Sequence, residues 1–287
     1  MGTTFPDSLA PEKREASKAA DAPHMQSCGF LLELSPDWLI LRASENAHGF
    51  LGHYHQRLVG EPLASFTLAQ ALHDLRNSLS RQRSACGIAR AYRLRLIDEP
   101  RYFDFAFQHV GDRILLEGLP SADGGFGSAL GSVSRLIDGL DGPDRSGLLE
   151  NAARRMRALT GFDHVTAIVD GRVAAESSRS GAASPLTAGE LGDIPPILVD
   201  CASEDISTFP GSPGDYPRHA LLRAATSHLR DKLRHGGIRS GLRVPILATG
   251  EAMGEFVCTN RNASQPGFEL HAAAELFAQC VAMRMRA

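Results

Sequence analysis

The chain has 287 residues, 43% of them hydrophobic and 22% charged, with a formal net charge of -3. That length exceeds one ordinary domain and suits two of about 100–150 residues, each able to bury a core, and the near-neutral balance supplies no field that would gather nucleic acid or an anionic membrane surface. No apolar run approaches the roughly 18–20 residues of a membrane span, and the N-terminus has alternating charges, not a basic end followed by an apolar stretch, so the chain is expected in the cytoplasm, off the membrane. Cys28, Cys86, Cys201, Cys258 and Cys280 are odd in number, widely spaced and never in a CxxC pair. This fits reduced thiols better than disulfides or a zinc site.

Residues 1–23 are rich in Ala, Lys, Glu and Pro and lack an apolar stripe, the composition of a flexible arm. Order is expected to begin at Gly29. Phe30, Leu31, Leu32 and Leu34 form a short apolar strand, Ser35-Pro36-Asp37 a turn, and Trp38 to Arg42 a second strand. Ser44-Glu45-Asn46 can cap a short helix, and Leu68, Leu72, Leu75 and Leu79 recur at helical spacing in a longer one. Three further strands follow at Gly87 to Leu96, Tyr102 to Val110 and Arg113 to Leu119, with Phe103, Phe105 and Phe107 alternating onto one face.

Ser121-Ala122-Asp123-Gly124-Gly125 marks a boundary, after which Leu130, Val133, Leu136, Ile137 and Leu140 form the stripe of a linker helix within 121–145. Gly142-Pro143 interrupts it. The next helix, from about Ser146 to Leu159, places Leu148, Leu149, Ala152, Met156 and Leu159 at core spacing and stops at Gly161. Val165 to Val169 and Arg172 to Glu176 make a hairpin across Asp170-Gly171. A Pro/Gly-rich middle leads to a predicted helix from Arg218 to Leu233, strands at Gly241 to Ala248 and Gly254 to Thr259, and a last helix from Glu269 to Met285. The fold class is α+β, in two units of a central antiparallel sheet flanked by helices.

The order of elements in residues 24–120 resembles a PAS domain, and that in 146–287 resembles a GAF domain. Short motifs narrow the resemblance to bacterial phytochromes. His24-Met25-Gln26-Ser27-Cys28-Gly29 is similar to that family's Ile-Gln-x-His-Gly, and Arg42-Ala43-Ser44-Glu45-Asn46, Gly60-Glu61-Pro62-Leu63 and Leu115-Leu116-Glu117-Gly118-Leu119-Pro120 are similar to its PAS segments. In the second unit Leu159-Thr160-Gly161-Phe162-Asp163-His164-Val165, His228-Leu229 with Gly237-Ile238-Arg239-Ser240, and Gly254 with Phe256-Val257-Cys258 resemble the GAF motifs in the same order.

The resemblance implies a linear tetrapyrrole, and most of its contacts are missing. Bacterial members of the family carry the attachment cysteine in the arm, where residues 1 to 27 contain none, and other members place it just before the GAF histidine, where Ser227 stands. The Pro-x-Ser-Asp-Ile-Pro motif is reduced to Leu191-Gly192-Asp193-Ile194-Pro195, and a helix of about four turns that follows it in the family is absent, Pro196 running directly into Ile197-Leu198-Val199-Asp200. Ile168 replaces a tyrosine, Thr259-Asn260 the paired histidines, and Gly241 to Arg243 the Ser-x-Ser. The resemblance leaves His228, Asp193 and Arg223 as candidate bilin contacts. On the residues alone, His228 is as well a packed or solvent-facing helix residue, Asp193 a turn residue, and Cys28 and Cys258 small hydrophobes. No GxSxG, HExxH or phosphate-binding glycine fingerprint is present, so no enzyme is expected.

The reading is therefore a sensory or regulatory protein in signal transduction with a degenerate bilin pocket. It has no expected cofactor, passes its signal to a separate output protein, and forms a homodimer through Leu270, Phe277, Val281 and Met285 of the last helix. Two alternatives stand: non-covalent biliverdin in a reshaped pocket, and a redox or small-ligand GAF sensor. In the family the arm threads a GAF loop to make a figure-of-eight knot; here the shortened region and polar arm lead to the expectation that the arm is loosely held and the knot absent.

Overall fold

The structure, a computed structural model, describes residues 24–82, 87–121, 128–211 and 219–286. The arm, Cys86 and Arg218 lie outside the described residues. In chain order the front part contains β1 (Met25–Gln26), β2 (Phe30–Leu34), β3 (Ile40–Ser44), α1 (Ala47–Leu51), α2 (His55–Leu58), α3 (Ala69–Ser80), β4 (Ala89–Leu94), β5 (Phe103–Val110) and β6 (Arg113–Pro120). The rear part contains α4 (Ser128–Ile137), α5 (Arg145–Thr160), β7 (His164–Val169), β8 (Arg172–Ser178), α6 (Ala188–Gly192), β9 (Ile197–Leu198), β10 (Asp205–Ile206), β11 (Thr208–Phe209), α7 (Ser227–His235), β12 (Ser240–Ala248), β13 (Glu251–Asn260) and α8 (Phe268–Arg286). Among the described residues no helix is long and apolar enough to cross a membrane.

The front sheet runs β11-β3-β2-β6-β5-β4 and the rear sheet β8-β7-β13-β12-β9, so the fold class is the α+β arrangement of antiparallel sheets read from the sequence. Period-two alternation explains how the front sheet is used on both faces. Phe30, Leu32, Phe103, Phe105, Phe107 and Leu116 pack with Leu72 and Leu75 of α3 in one core. Leu31, Ala106, Leu115 and Leu119 point the other way and join a second cluster with Leu149 and Met156 of α5 and Phe277 and Val281 of α8. The two parts therefore share a continuous core. Gly118 permits the sheet's tight packing, since a Cβ there would stand 2.4 Å from the Phe30 ring.

Local signals position the rear elements much as their chemistry requires. Asp144 caps α5 by accepting from Gly147 N at 2.8 Å, and Gly161 ends it at φ +72°. Asp170 and Gly171, at φ +52° and +70°, make the tight turn between β7 and β8.

Three expectations are corrected. Of the four residues read as a dimer face, Phe277 and Val281 are completely buried within the chain, and Leu270 and Met285 pack partly buried on the same cluster. The stripe is wide because α8 covers the rear sheet and also meets the front sheet. The outward apolar residues of α8 are Leu276 and Met283, 43% and 61% exposed.

The helix expected from residue 218 begins at Ser227, where the Thr226 hydroxyl accepts from Leu229 N. Residues 221–224 are held out of it because their backbone groups bond elsewhere: Leu221 and Leu222 N–H to Glu117, Ala224 N–H to His24 O, and Leu222 O to Gln26 N.

The third correction concerns where order begins, which is His24 and not Gly29; the expectation of a loosely held, unthreaded arm falls on residues 1–23, outside the described residues. β1 pairs on one side with β10, Met25 opposite Ile206 and Gln26 opposite Asp205, and on the other side bridges to Arg223. Gln26 N donates to Leu222 O at 2.9 Å, and its side-chain Nε2 donates to Ile197 O at 2.6 Å and to Arg223 O at 3.1 Å. Its Oε1 accepts from Val199 N at 2.8 Å. The segment thus lies between two legs of one rear loop, whose outward turn adds β11 to the front sheet edge beside β3. Gln26 offers donors and an acceptor to backbone groups that burial would otherwise leave unsatisfied.

Candidate functional site

α6 and α7 carry or adjoin the candidate contacts and cover the face of the rear sheet opposite α5 and α8. Thr187 and Glu190 form a reciprocal capping box at the start of α6, and Lys232 of α7 reaches Glu190 at 3.1 Å, tying the two helices together. The space beneath them is filled by the chain itself: Ile168, Leu191, Ile194, Leu198, Leu229, Leu233 and Val257 form one buried apolar cluster, with Cys201 inside it. Ile194 packs directly on β12, its Cγ2 lying 2.9 Å from where a Cβ on Gly241 would be. Arg243 fastens the same loop, donating to Ile194 O at 2.8 Å while its guanidinium binds Glu255 at 2.9 Å. β9 follows α6 closely and pairs with β12, Ile197 opposite Leu242 and Leu198 opposite Gly241.

The candidate contacts occupy the margin of this cluster. His228 is exposed in the first turn of α7, and Asp193 is exposed where α6 ends. Arg223 is partly buried in the extended stretch before α7. Burial, with the nearby charge of Arg243, draws its guanidinium down to about 10, against the opposing charges of Asp193 and Glu117. Arg223, Arg243 and Asp193 are therefore brought within electrostatic reach of one another.

Residues around the cluster are held by local bonds. Asn260 Oδ1 accepts from Asp163 N at 2.7 Å, and Asp200 pairs with the Arg239 guanidinium, which holds its carboxyl below the usual range. The Cys201 thiol donates to Ile238 O at 3.2 Å. Cys28 packs against the shared core, not the α6–α7 cluster, and burial pushes its thiol up to about 12; Cys258 is pushed up to about 12 in the same way. Such thiols are poor nucleophiles near neutral pH. Two open clefts, of about 450 and 440 Å³, lie elsewhere: one beside α3 and β4, lined by Asp74, Arg81 and Arg90, the other between the start of α5 and the β7–β8 turn.

Buried titratable groups join the two parts, and sequence motifs did not single them out as functional. Arg90 on β4 donates to Glu275 at 2.6 Å and meets His271 Nδ1 at 2.9 Å, both on α8. Burial draws the His271 imidazole down to about 4, Glu275 opposing the shift and Arg90 adding to it. Glu117, enclosed on β6, accepts from Leu221 N and Leu222 N. A signal was available: His271 and Glu275 are i and i+4 on a helix face shared with Ala274 and Ala278, and Glu117 is the one charge within the apolar run from Ile114 to Leu119.

Residues 15–117 match the PAS fold family and residues 144–286 match the GAF domain family. These are sensory modules, not an enzyme family. Among solved structures, the chain is 24% identical to the chromophore-binding domain of a Stigmatella aurantiaca phytochrome, with a TM-score of 0.75 over 93% of this chain and 99% of that one. The chromophore-binding domain of an unusual bacteriophytochrome from R. palustris is 21% identical, with a TM-score of 0.71 over 92% and 94% of the two chains. Against the larger photosensory core module of the S. aurantiaca phytochrome, the identity is 24% and the TM-score 0.74, with 92% of this chain and 58% of that one covered. No curated protein matches in sequence.

Proposed function

The chain is a bacteriophytochrome-like PAS–GAF region, and from that premise we propose that it is a sensory or regulatory signalling protein that carries no covalently attached bilin and acts through contacts with other proteins. The observation that carries this reading is the apolar cluster under α6 and α7. A tetrapyrrole needs space and partners for its buried nitrogens and carboxylates. Here that volume is taken by Leu191, Ile194, Leu229 and their neighbours, while His228 and Asp193 face solvent. The thiols of Cys28 and Cys258 belong to the other cluster.

The outward residues of α8 supply the surface for self-association, with Leu276 and Met283 replacing the buried pair expected earlier. A second reading, biliverdin held without a covalent bond, is favoured by one observation: the partly buried Arg223 beside Arg243, a cationic pair suited to carboxylates. Mixing the protein with biliverdin separates the readings. The expected result is an absorption spectrum unchanged from free biliverdin and no zinc-dependent fluorescent band on a denaturing gel. A red-shifted, narrowed band without covalent fluorescence supports the second reading, and a covalent band abolished by Cys28→Ala overturns both.

A further inference from the structure

β4 is the outer strand of the front sheet, and the cleft of about 450 Å³ lies between it and α3. That volume falls in the range of about 300–1,000 Å³ that small-molecule sites use. Asp74, Asn77, Ser78 and Arg81 line it from α3 and the end of that helix, and residues 90–94 line it from β4. It shares no residue with the apolar cluster under α6 and α7.

Three guanidinium groups reach this cleft, each placed by a different part of the backbone. Arg81 directly follows α3 and is exposed, and among the described residues its side chain has no ion pair. Alone it would only complement the negative end of that helix. Arg93 owes its place to a β-bulge: Tyr92 and Arg93 stand between Ala91 and Leu94, opposite the single residue Asp104 between Phe105 and Phe103. Bulges of this kind re-aim a side chain. The backbone of Arg93 is held at φ +53°, and its N–H donates to Asp104 Oδ1 at 2.9 Å, an oxygen that also accepts from the Ser121 hydroxyl at 2.6 Å. The guanidinium lies over the Tyr102 ring, 5.4 Å from its centre, which occupies its face and leaves its N–H edge able to bond. Arg90 is the buried member, its side chain 9% exposed. One of its terminal nitrogens meets Glu275 and His271 on α8, while its Nε is buried without a hydrogen-bond partner. A buried charged donor left unpaired is costly, and an oxyanion acceptor relieves it.

We propose that the α3–β4 cleft binds a small oxyanion carrying two or more phosphoryl or carboxyl groups, held by Arg81, Arg90 and Arg93. The planar N–H fork of each guanidinium matches the paired oxygens of either group. Asp74 is the one carboxylate among the described lining residues, and its Oδ1 already accepts from Gln70 at 3.0 Å. With Glu275 set against Arg90, and Asp74 against one of the exposed pair, one positive charge remains in excess. The bound anion lies one side chain from α8, because Arg90 also holds that helix.

Titration calorimetry of the full chain with pyrophosphate and, separately, with citrate tests this at about 0.15 M salt, where loose surface attraction is largely screened. At least one anion is expected to bind with one-to-one stoichiometry, and the tighter of the two identifies phosphoryl or carboxyl groups as the preferred chemistry. Arg81→Gln with Arg93→Gln, both on exposed side chains, should keep the wild-type melting curve and weaken that binding by at least about tenfold. Arg90→Met with Glu275→Leu, which leaves no unpaired charge, should weaken it as well. No binding of either anion at about 1 mM, or binding that the Arg81 and Arg93 substitutions leave unchanged, overturns the proposal. Wild-type affinity in the Arg90 and Glu275 pair removes the buried guanidinium from the site and overturns it too.

Discussion

Removing Glu275 should weaken the front and rear parts together, although it lies on the last helix. Its carboxylate is 2.6 Å from Arg90 of β4, and the two side chains are 4% and 9% exposed. An exposed pair of this kind contributes about 0–1 kcal/mol. A buried pair that loses one member strands the other charge in low dielectric, a loss of about 3–5 kcal/mol. Glu275→Ala leaves Arg90 beside the buried His271 ring, so the larger figure applies. Replacing both charges by apolar residues, Arg90→Met with Glu275→Leu, should return stability to near the wild-type value, since no charge is then left unpaired. Urea unfolding followed by fluorescence of Trp38, which is buried in the front core, and in parallel by far-ultraviolet circular dichroism measures this. Both probes should shift together in Glu275→Ala. A loss below about 1 kcal/mol, or a shift in dichroism that leaves the Trp38 transition in place, would refute the view that the parts share a core.

Two further outcomes follow from burial on α8. Phe277→Ala should cost about 3–5 kcal/mol of stability without altering the mass seen by light scattering, whereas Leu276→Asp with Met283→Asp should leave melting nearly unchanged and lower the mass if the homodimer forms on that face; a wild-type monomer at tens of micromolar ends the homodimer proposal. His271, drawn down from 6.5 to about 4, favours the folded state while neutral, so its stabilisation is present above 6.5 and lost as pH falls through 4. Acid titration of stability should therefore be shallower in His271→Asn over that window by on the order of 3 kcal/mol, and a variant with the wild-type slope would remove His271 as the source.

The local elements were legible because short-range chemistry specifies them. Phe103, Phe105 and Phe107 face one core through strand alternation alone, the Asp170-Gly171 turn needs only two residues that tolerate positive φ, and Gly161 stops α5 within its own last turn.

What the residues could not reveal was which surface each apolar stripe would meet. Phe277 and Val281 read as surplus on α8 because the cluster they join, with residues from both sheets, α4 and α5, is assembled only in the folded chain. Leu221 and Leu222 read as helix for the same reason: their amides go to Glu117, a tertiary acceptor that outweighs local propensity. The sequence by itself determined the two modules and most of their strands and turns. Only the tertiary structure decided that Ile194 and Leu229 meet in one buried cluster, and that Gln26, Glu117, Arg90 and Glu275 bind the modules together, because burial and pairing depend on neighbours brought close in space, not in sequence.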